Sequence, residues 1–202
     1  MARVRKVLIY LGGAVLVLCL LVVGAWVYVT SNVPEPEFRV LASDGPIEHR
    51  AYDAMVVAEV TRSGSRYDAV RAGFGPLARY IFARERDGEK IAMTAPVTQR
   101  AAGDRDWVVQ FIMPADYALG DLPTPTQGDV RLSPVTAAER AAIRFSGVAT
   151  DELIADQEAK LRAWIDAQGL TANGAPVYAY YNDPITPGFL RRNEVIIDLA
   201  SP

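Results

Sequence analysis

The sequence predicts an α+β domain, a distorted antiparallel β-barrel with two helices packed against it, preceded by one N-terminal transmembrane helix. Three observations support this prediction. An uninterrupted apolar run lies near the start of the chain, strand-like and helix-like stretches alternate after it, and their order repeats once. The chain has 202 residues, and the part beyond the apolar run has the length of one ordinary domain.

The apolar run extends from Val7 to Val29, 23 residues without an Asp, Glu, Lys, Arg, His, Asn or Gln. As a helix it would rise about 35 Å, enough to cross a hydrocarbon core of about 30 Å. A cleaved signal peptide is the alternative, but its apolar region is shorter and its exit uses small residues, whereas this run leaves through Trp26 to Thr30. Leu18 before Cys19 also disagrees with a lipoprotein signal.

Basic residues flank the apolar run only on its N-terminal side, at Arg3, Arg5 and Lys6, and the first acidic residue is Glu35. This asymmetry predicts a cytoplasmic N-terminus and a domain outside, which is the periplasm in a Gram-negative bacterium. We therefore expect an anchor over residues 1–30, a Pro-rich linker over residues 31–36 and one domain over residues 37–202.

The composition of the domain excludes several classes of protein. Of the 21 Lys and Arg residues, 18 follow the apolar run, as do all 24 acidic residues. An acidic domain without basic clusters disfavours nucleic-acid binding, which requires concentrated positive charge. One Cys and one His exclude a disulfide framework and a metal site built from several His or Cys ligands.

The first half of the domain alternates between strand and helix patterns. Strands are predicted at Ile47–Tyr52, Met55–Thr61, Lys90–Gln99 and Trp107–Met113. A helix is predicted from Ser65 to about Arg84, with its buried face at Val70, Phe74, Leu77 and Ile81. Gly73, Gly75 and Pro76 predict a kink or a broken first turn in this helix.

The same order of elements recurs about 85 to 88 positions later. A strand at Ile143–Val148 precedes a helix that Thr150 caps and Gly169 ends, and strands follow at Val177–Tyr181 and Glu194–Leu199. Pro114 to Gly128 joins the halves. Two such units can close into a barrel, which removes unpaired sheet edges. The alternative is an ordinary α+β domain with chance periodicity.

Five short strings, taken together and in this order, closely resemble the SOUL haem-binding-protein family. They are Glu48–Tyr52, Lys90–Val97, Phe111–Pro114, Tyr181–Pro184 and Arg191–Val195. The resemblance runs from about residue 37 to residue 199. It implies an eight-stranded barrel made of two β-α-β-β repeats with two helices, and non-covalent binding of haem or another tetrapyrrole without an established enzymatic reaction.

The resemblance also implies a site along the first helix, flanked by the loop before the last strand. Matched by position, the cofactor-binding residues are Arg71, Phe74, Ala78 and Arg79, with Pro187 in the loop Ile185–Leu190. The arginines are suited to the propionates of a tetrapyrrole. One branch of the family has methionines at the positions of Phe74 and Ala78 and a lysine at that of Pro187. The alternative is an ordinary solvent-exposed stripe with scattered arginines.

His49 is the only histidine and therefore the only imidazole available to a haem iron. It lies two residues before Ala51, whose position matches a suggested axial histidine of the mammalian branch. The period of a strand places both residues on the same face. We therefore treat His49 as a possible axial metal ligand, with a hydrogen-bonded strand histidine as the alternative.

The motif inventory favours a binding protein over an enzyme. The sequence contains no Gly-x-Ser-x-Gly elbow, no Walker loop and no His-Glu-x-x-His, and Cys-x-x-Cys-His for covalent haem attachment is missing. We expect a membrane-anchored tetrapyrrole-binding protein. The alternatives are an envelope interaction module that binds no tetrapyrrole, and a barrel hydrolase or small-molecule effector domain.

Overall fold

The computed structural model describes residues 33–84, 86–126 and 129–200, together with residues 10, 13, 17, 18, 21 and 24. The chain divides into two compact units, Met1–Val33 and Pro34–Pro202. In the first unit, the six described residues between 10 and 24 are helical. The predicted transmembrane helix Val7–Val29 otherwise lies outside the described residues. Among those that are described, no helix has the length and apolar character that crossing a membrane requires.

The second unit is an α+β domain with one antiparallel sheet and two α-helices in its described part. The strands are β1 (Phe38–Asp44), β2 (Ile47–Tyr52), β3 (Met55–Ser63), β4 (Val97–Ala101), β5 (Asp106–Ile112), β6 (Arg131–Val135), β7 (Ala138–Phe145), β8 (Ala172–Tyr180) and β9 (Asn193–Leu199). The helices are α1 (Arg66–Ile81) and α2 (Asp151–Ala167). Short 3-10 helices lie at Leu119–Asp121 and Gly188–Leu190.

The strands form one sheet in the order β1-β2-β7-β9-β8-β4-β5-β3-β6. The prediction of a closed eight-stranded barrel is wrong, because this sheet has nine strands and its ends do not pair. The sequence analysis did not predict β1 or β6, which are the two edge strands. Residues of β1 beyond Phe38 are exposed. Burial therefore does not alternate along this strand as it does along a half-buried strand.

The predicted repeat is confirmed, since β3-α1-β4-β5 and β7-α2-β8-β9 follow the same order. The strand that precedes each repeat pairs with the other repeat. β2 precedes the first repeat and pairs with β7 of the second, and β6 precedes the second repeat and pairs with β3 of the first. The central β4–β8 pair then joins two equivalent halves. We call β4-β5-β3-β6 the first half of the sheet and β2-β7-β9-β8, with β1, the second half.

Each helix covers one half of the sheet with its own apolar core. Leu77 and Ile81 of α1 pack in the cluster that includes Val109 and Phe111 of β5. Leu161 and Ile165 of α2 pack in the cluster that includes residues of β7 and β9. Fully buried aliphatic side chains of this size each stabilise the fold by about 1.5 to 3 kcal/mol relative to exposure.

Side-chain caps begin both helices, and the sequence analysis predicts the one at Thr150. Ser65 Oγ accepts a hydrogen bond from the Asp68 amide at 3.1 Å, and Thr150 Oγ1 accepts one from the Leu153 amide at 3.2 Å. The predicted break in α1 is absent, because the helix is continuous across Pro76. A Cβ at Gly73 would lie 2.8 Å from Val109 Cβ, so this glycine permits close approach of helix and sheet.

One strand is shorter than predicted. The sequence analysis placed a strand at Lys90–Gln99, whereas β4 begins at Val97. Pro96 has no amide hydrogen for a neighbouring strand, and the Ala95 amide donates to the Pro34 carbonyl instead. The Thr94 hydroxyl donates to the Ile112 carbonyl at 2.5 Å. Residues before Val97 therefore cross the end of β5 rather than extend the sheet.

Candidate functional site

The outward face of α1 carries more aromatic surface than the sequence analysis predicted. Phe74 was placed in the buried stripe, but its side chain is 40% exposed and packs edge-on against Phe111 at 5.2 Å between ring centroids. The buried stripe includes Ala69, Gly73 and Leu77 instead. Gly73 lets α1 pack closely against β5. Phe74, the next residue, therefore lies at the rim of the core and not inside it.

The other predicted residues of α1 surround Phe74. Arg71 is exposed, and its guanidinium lies over the exposed ring of Tyr67 at 5.5 Å. Ala78 is half-buried against the first core cluster. Arg79 is half-buried, and its Nη1 lies 3.5 Å from the position that a Cβ on Gly75 would occupy. The helix surface at Gly75 therefore lies between the guanidinium of Arg79 and its neighbour Phe74.

Arg66, which the sequence analysis missed, joins the starts of the two helices. Its Nε donates to Asp151 at 2.8 Å, its Nη1 to the Tyr180 hydroxyl at 2.7 Å and its Nη2 to the Ala149 carbonyl at 2.6 Å. The guanidinium is buried, and these partners compensate its desolvation. No local pattern identifies such a residue, because its partners lie more than 80 positions away.

The loop that contains Pro187 reaches the same end of the domain. Pro187 is exposed and precedes the 3-10 helix, and Gly188 packs against Val148, with a Cβ at Gly188 lying 3.1 Å from Val148 Cγ2. Val148 adjoins Ala149, to which Arg66 at the start of α1 is bonded. A chain of direct contacts thus connects this loop to the N-terminal end of α1.

His49 lies elsewhere in the fold. It is on β2, paired with Ala42 of β1 and Ala141 of β7, in the half of the sheet that α2 covers. Its Nε2 is 2.8 Å from a carboxylate oxygen of Glu139. The structure therefore does not bring His49 together with the predicted residues on α1, which packs against β3 and β5.

A second polar site lies at the end of the second half of the sheet. Glu194 is buried and accepts hydrogen bonds from Arg50 at 2.7 and 3.2 Å and from Arg192 at 2.9 and 3.2 Å. Arg50 also donates to Glu48 at 2.7 Å. These residues belong to two of the strings that carry the family resemblance, so those strings build an ion-pair network at the strand ends.

The network lines an open cavity of about 520 Å³, where it meets Phe38 and the exposed Arg144. Burial alone would raise the pKa of Glu194, but the hydrogen bonds and charges of Arg50 and Arg192 outweigh it and hold that pKa below its ordinary value. The same carboxylate raises the pKa of Arg50 against the effect of burial. All three side chains are therefore charged near neutral pH.

The two sites suit different ligands. Among the described residues, no group of three or more His, Cys, Asp or Glu side chains is arranged to hold a metal ion. In the cavity the arginines beside Glu194 are paired with carboxylates. The outward face of α1 offers exposed rings at Tyr67 and Phe74 beside arginines, which fits a flat apolar molecule with carboxylate groups.

Comparisons with known proteins agree with this fold. A family model described as SOUL heme-binding protein matches residues 33–198. No curated protein has a significant sequence match to the chain.

Several solved structures share the fold at low sequence identity. A hydrolase from Listeria innocua has 13% identity and a TM-score of 0.57, over 79% of this chain and 94% of that one. The C-terminal domain of EcmrR has 13% identity and a TM-score of 0.58, over 77% and 98% of the two chains. An uncharacterised conserved protein from Listeria innocua has 13% identity and a TM-score of 0.52, over 83% and 93%. At this identity the similarity shows the fold alone.

Proposed function

Because the chain belongs to the SOUL haem-binding protein family, we propose that it binds haem or another tetrapyrrole, held non-covalently in a groove along α1. The family is one of binding proteins and is not known as enzymatic. The observation that carries the proposal is the outward face of α1, where Phe74 and Tyr67 expose their rings beside Arg71. A solvated helix normally presents a polar outer face, so two exposed rings on this face support the proposal of a ligand there.

The proposed residues have distinct roles toward the ligand. Phe74 packs against the plane of the ring, and Ala78 leaves the ring room to lie close to the helix. Arg71 and Arg79 pair with the propionates, and the loop with Pro187 flanks the start of the groove. A bound haem would supply its own redox chemistry. The chain binds the ring, orients its carboxylates and excludes water from one face.

The proposal includes attachment to a membrane. The apolar run Val7–Val29 is long enough to cross a bilayer, and its basic flank at Arg3, Arg5 and Lys6 favours a cytoplasmic N-terminus. The domain then lies on the outer side, in the periplasm of a Gram-negative bacterium. Anchoring keeps the domain close to membranes, in which haem and its precursors dissolve.

Titration of the full-length protein in detergent micelles with hemin tests the binding proposal. We expect a saturable change of the Soret band near one equivalent, reduced when Arg71 and Arg79 are both changed to Glu. Protein-free micelles and the variant Asp156→Arg on α2 serve as controls, because Asp156 lies outside the groove. A linear response that matches micelles alone would contradict the proposal and favour an interaction module without a tetrapyrrole.

A further inference from the structure

The loop Ile185–Leu190 has an inverted polarity. Its apolar side chains face outward, with Ile185 82% exposed, Phe189 77% and Leu190 56%, while its polar Thr186 is 3% exposed. Surface loops ordinarily do the reverse, because water solvates polar side chains and not apolar ones. An exposed cluster of large apolar side chains marks a surface that another apolar phase covers.

Hydrogen bonds hold this loop in place. Asp183 Oδ1 accepts from the amides of Ile185 and Thr186 and from the Thr186 hydroxyl, at 2.9 to 3.1 Å. The Arg191 guanidinium spans the loop and donates to the carbonyls of Thr186 at 2.7 Å and Pro184 at 2.5 Å. Hydrogen bonds to Asp183 and Arg191 thus fix the backbone from which the apolar side chains project.

The domain begins beside this loop. Glu35 accepts hydrogen bonds from Arg192 Nη1 at 2.9 and 3.0 Å, and Arg192 lies two residues after Leu190. Five residues, 30–34, connect the apolar run to Glu35. Fully extended they reach at most about 18 Å, and the polar layer on each side of a bilayer is about 5 to 8 Å thick.

We propose that the loop Ile185–Leu190 docks into the bilayer surface, with Ile185, Phe189 and Leu190 inserted between lipid head groups. This inference rests on the proposed membrane anchor and concerns a second contact with the same membrane. The short linker favours lipid over a soluble partner, because it holds the apolar loop within reach of the bilayer from which the chain emerges. The contact places the start of the α1 groove at the membrane surface, where apolar ligands partition.

Site-specific fluorescence of the full-length protein in vesicles tests the docking. Cys19, the only cysteine, is changed to Ala, and Phe189→Cys or the control Ala102→Cys is labelled with an environment-sensitive nitrobenzoxadiazole dye. Ala102 is also exposed, but it follows β4 at the strand end opposite to the loop. The vesicles contain phosphatidylcholine with a minor share of phosphatidylglycerol, with or without nitroxide-labelled phosphatidylcholine.

We expect emission from position 189 to move to shorter wavelength and to lose most of its intensity with nitroxide lipid, while position 102 changes little. Extraction with alkaline carbonate separately reports the anchor. Retention in the vesicles with an unquenched label at 189 overturns the docking and leaves the anchor proposal intact. Release by carbonate overturns both. A blue-shifted label that nitroxide lipid does not quench also overturns the inference, because the loop is then covered by something other than lipid.

Discussion

The helices α1 and α2 occupy equivalent places in the two halves of the sheet, yet their outward faces differ. Counted from their first residues, which are 85 positions apart, Tyr67, Arg71 and Phe74 of α1 correspond to Glu152, Asp156 and Ala159 of α2. All six side chains are exposed. On α2, Asp156 forms an ion pair with Lys160 at 2.7 Å, as expected of a solvated helix.

This difference distinguishes the residues that the packing of the helices requires from the outward residues of α1. Both helices must bury one apolar stripe, and both do so. At the three compared positions, only α1 exposes aromatic rings, Tyr67 and Phe74, with Arg71 beside them. The packing of the repeat does not need exposed rings at these positions, because α2 packs without them, although Phe74 does contact Phe111. The contrast therefore supports the proposal that the outward residues of α1 bind a ligand.

The sheet shows a second contrast, between one carboxylate in each half. Glu194 in the second half is fully buried between Arg50 and Arg192. Glu59 in the first half is partly exposed and accepts hydrogen bonds from the neutral groups of Gln110 and Ser133, each at 2.8 Å. Glu194 is thus held by close ion pairs, whereas Glu59 is held mainly by neutral hydrogen bonds, with the Arg100 guanidinium 4.0 Å away.

The largest effect is expected from Glu194→Gln, which leaves the buried Arg50 with only the partly exposed Glu48 as a charged partner and removes the buried carboxylate that also pairs with Arg192. The free energy of unfolding should fall by about 3 to 5 kcal/mol. The matched variant Glu59→Gln should lose about 1 kcal/mol, because its hydrogen-bond partners Gln110 and Ser133 are neutral and Arg100 lies 4.0 Å away. Chemical denaturation followed by circular dichroism measures the free energy of unfolding of both variants. Equal losses of stability would contradict the contrast between Glu194 and Glu59.

The same pair predicts a dependence of stability on pH. Since the pKa of Glu194 is lower in the folded protein than the ordinary 4.5, its contribution is complete above pH 4.5 and is lost as the pH falls through the folded pKa. Unfolding measured over the acidic range should show this loss in the unmodified protein. In Glu194→Gln the free energy of unfolding should change less steeply with pH. An unchanged slope would mean that other carboxylates cause the pH dependence.

Gly73→Ala is expected to have the next largest effect, because the new Cβ would lie 2.8 Å from Val109. Overpacking of this kind costs about 1 to 3 kcal/mol of unfolding free energy. The control is Gly75→Ala on the outward face, where the nearest atom is 3.5 Å away and the better helix propensity should stabilise by about 0.5 to 1 kcal/mol. Thermal unfolding distinguishes the two, and a neutral Gly73→Ala would mean that α1 can move away from β5.

Phe74→Ala should weaken hemin binding by about tenfold, because a ring contact contributes on the order of 1 kcal/mol beyond area burial. Ala159→Phe, at the corresponding position of α2, should neither weaken nor strengthen it. Dissociation constants from Soret titrations measure the change. Equal effects of the two variants would show that the ligand does not distinguish α1 from α2.

His49→Ala is expected to have the smallest effect. Its contact with Glu139 lies in the half of the sheet that α2 covers, and a partly exposed pair of this kind contributes at most about 1 kcal/mol to stability. The hemin affinity and the position of the Soret band should therefore stay unchanged. A lost Soret shift in this variant would instead make His49 the axial ligand.

Much of the fold follows from local patterns in the sequence. The sequence predicts the cap at Thr150, the repeat of strand, helix and two strands, and most of the inner strands, because each depends on neighbours within a few residues. The resemblance to the family also predicts a site on α1, and that site stays a prediction. The edge strand β1 has no such pattern, since water solvates most of it and no apolar alternation is needed.

The sequence by itself determined that one α+β unit occurs twice and that each helix buries one apolar stripe. Only the tertiary structure decided that β2 and β6 exchange between the repeats, that Phe74 lies at the rim, and that Glu194 is held between two arginines. The reason is physical. Helix and strand periods are set by contacts between near neighbours, whereas register across the sheet and the burial of charge depend on residues up to 144 positions apart.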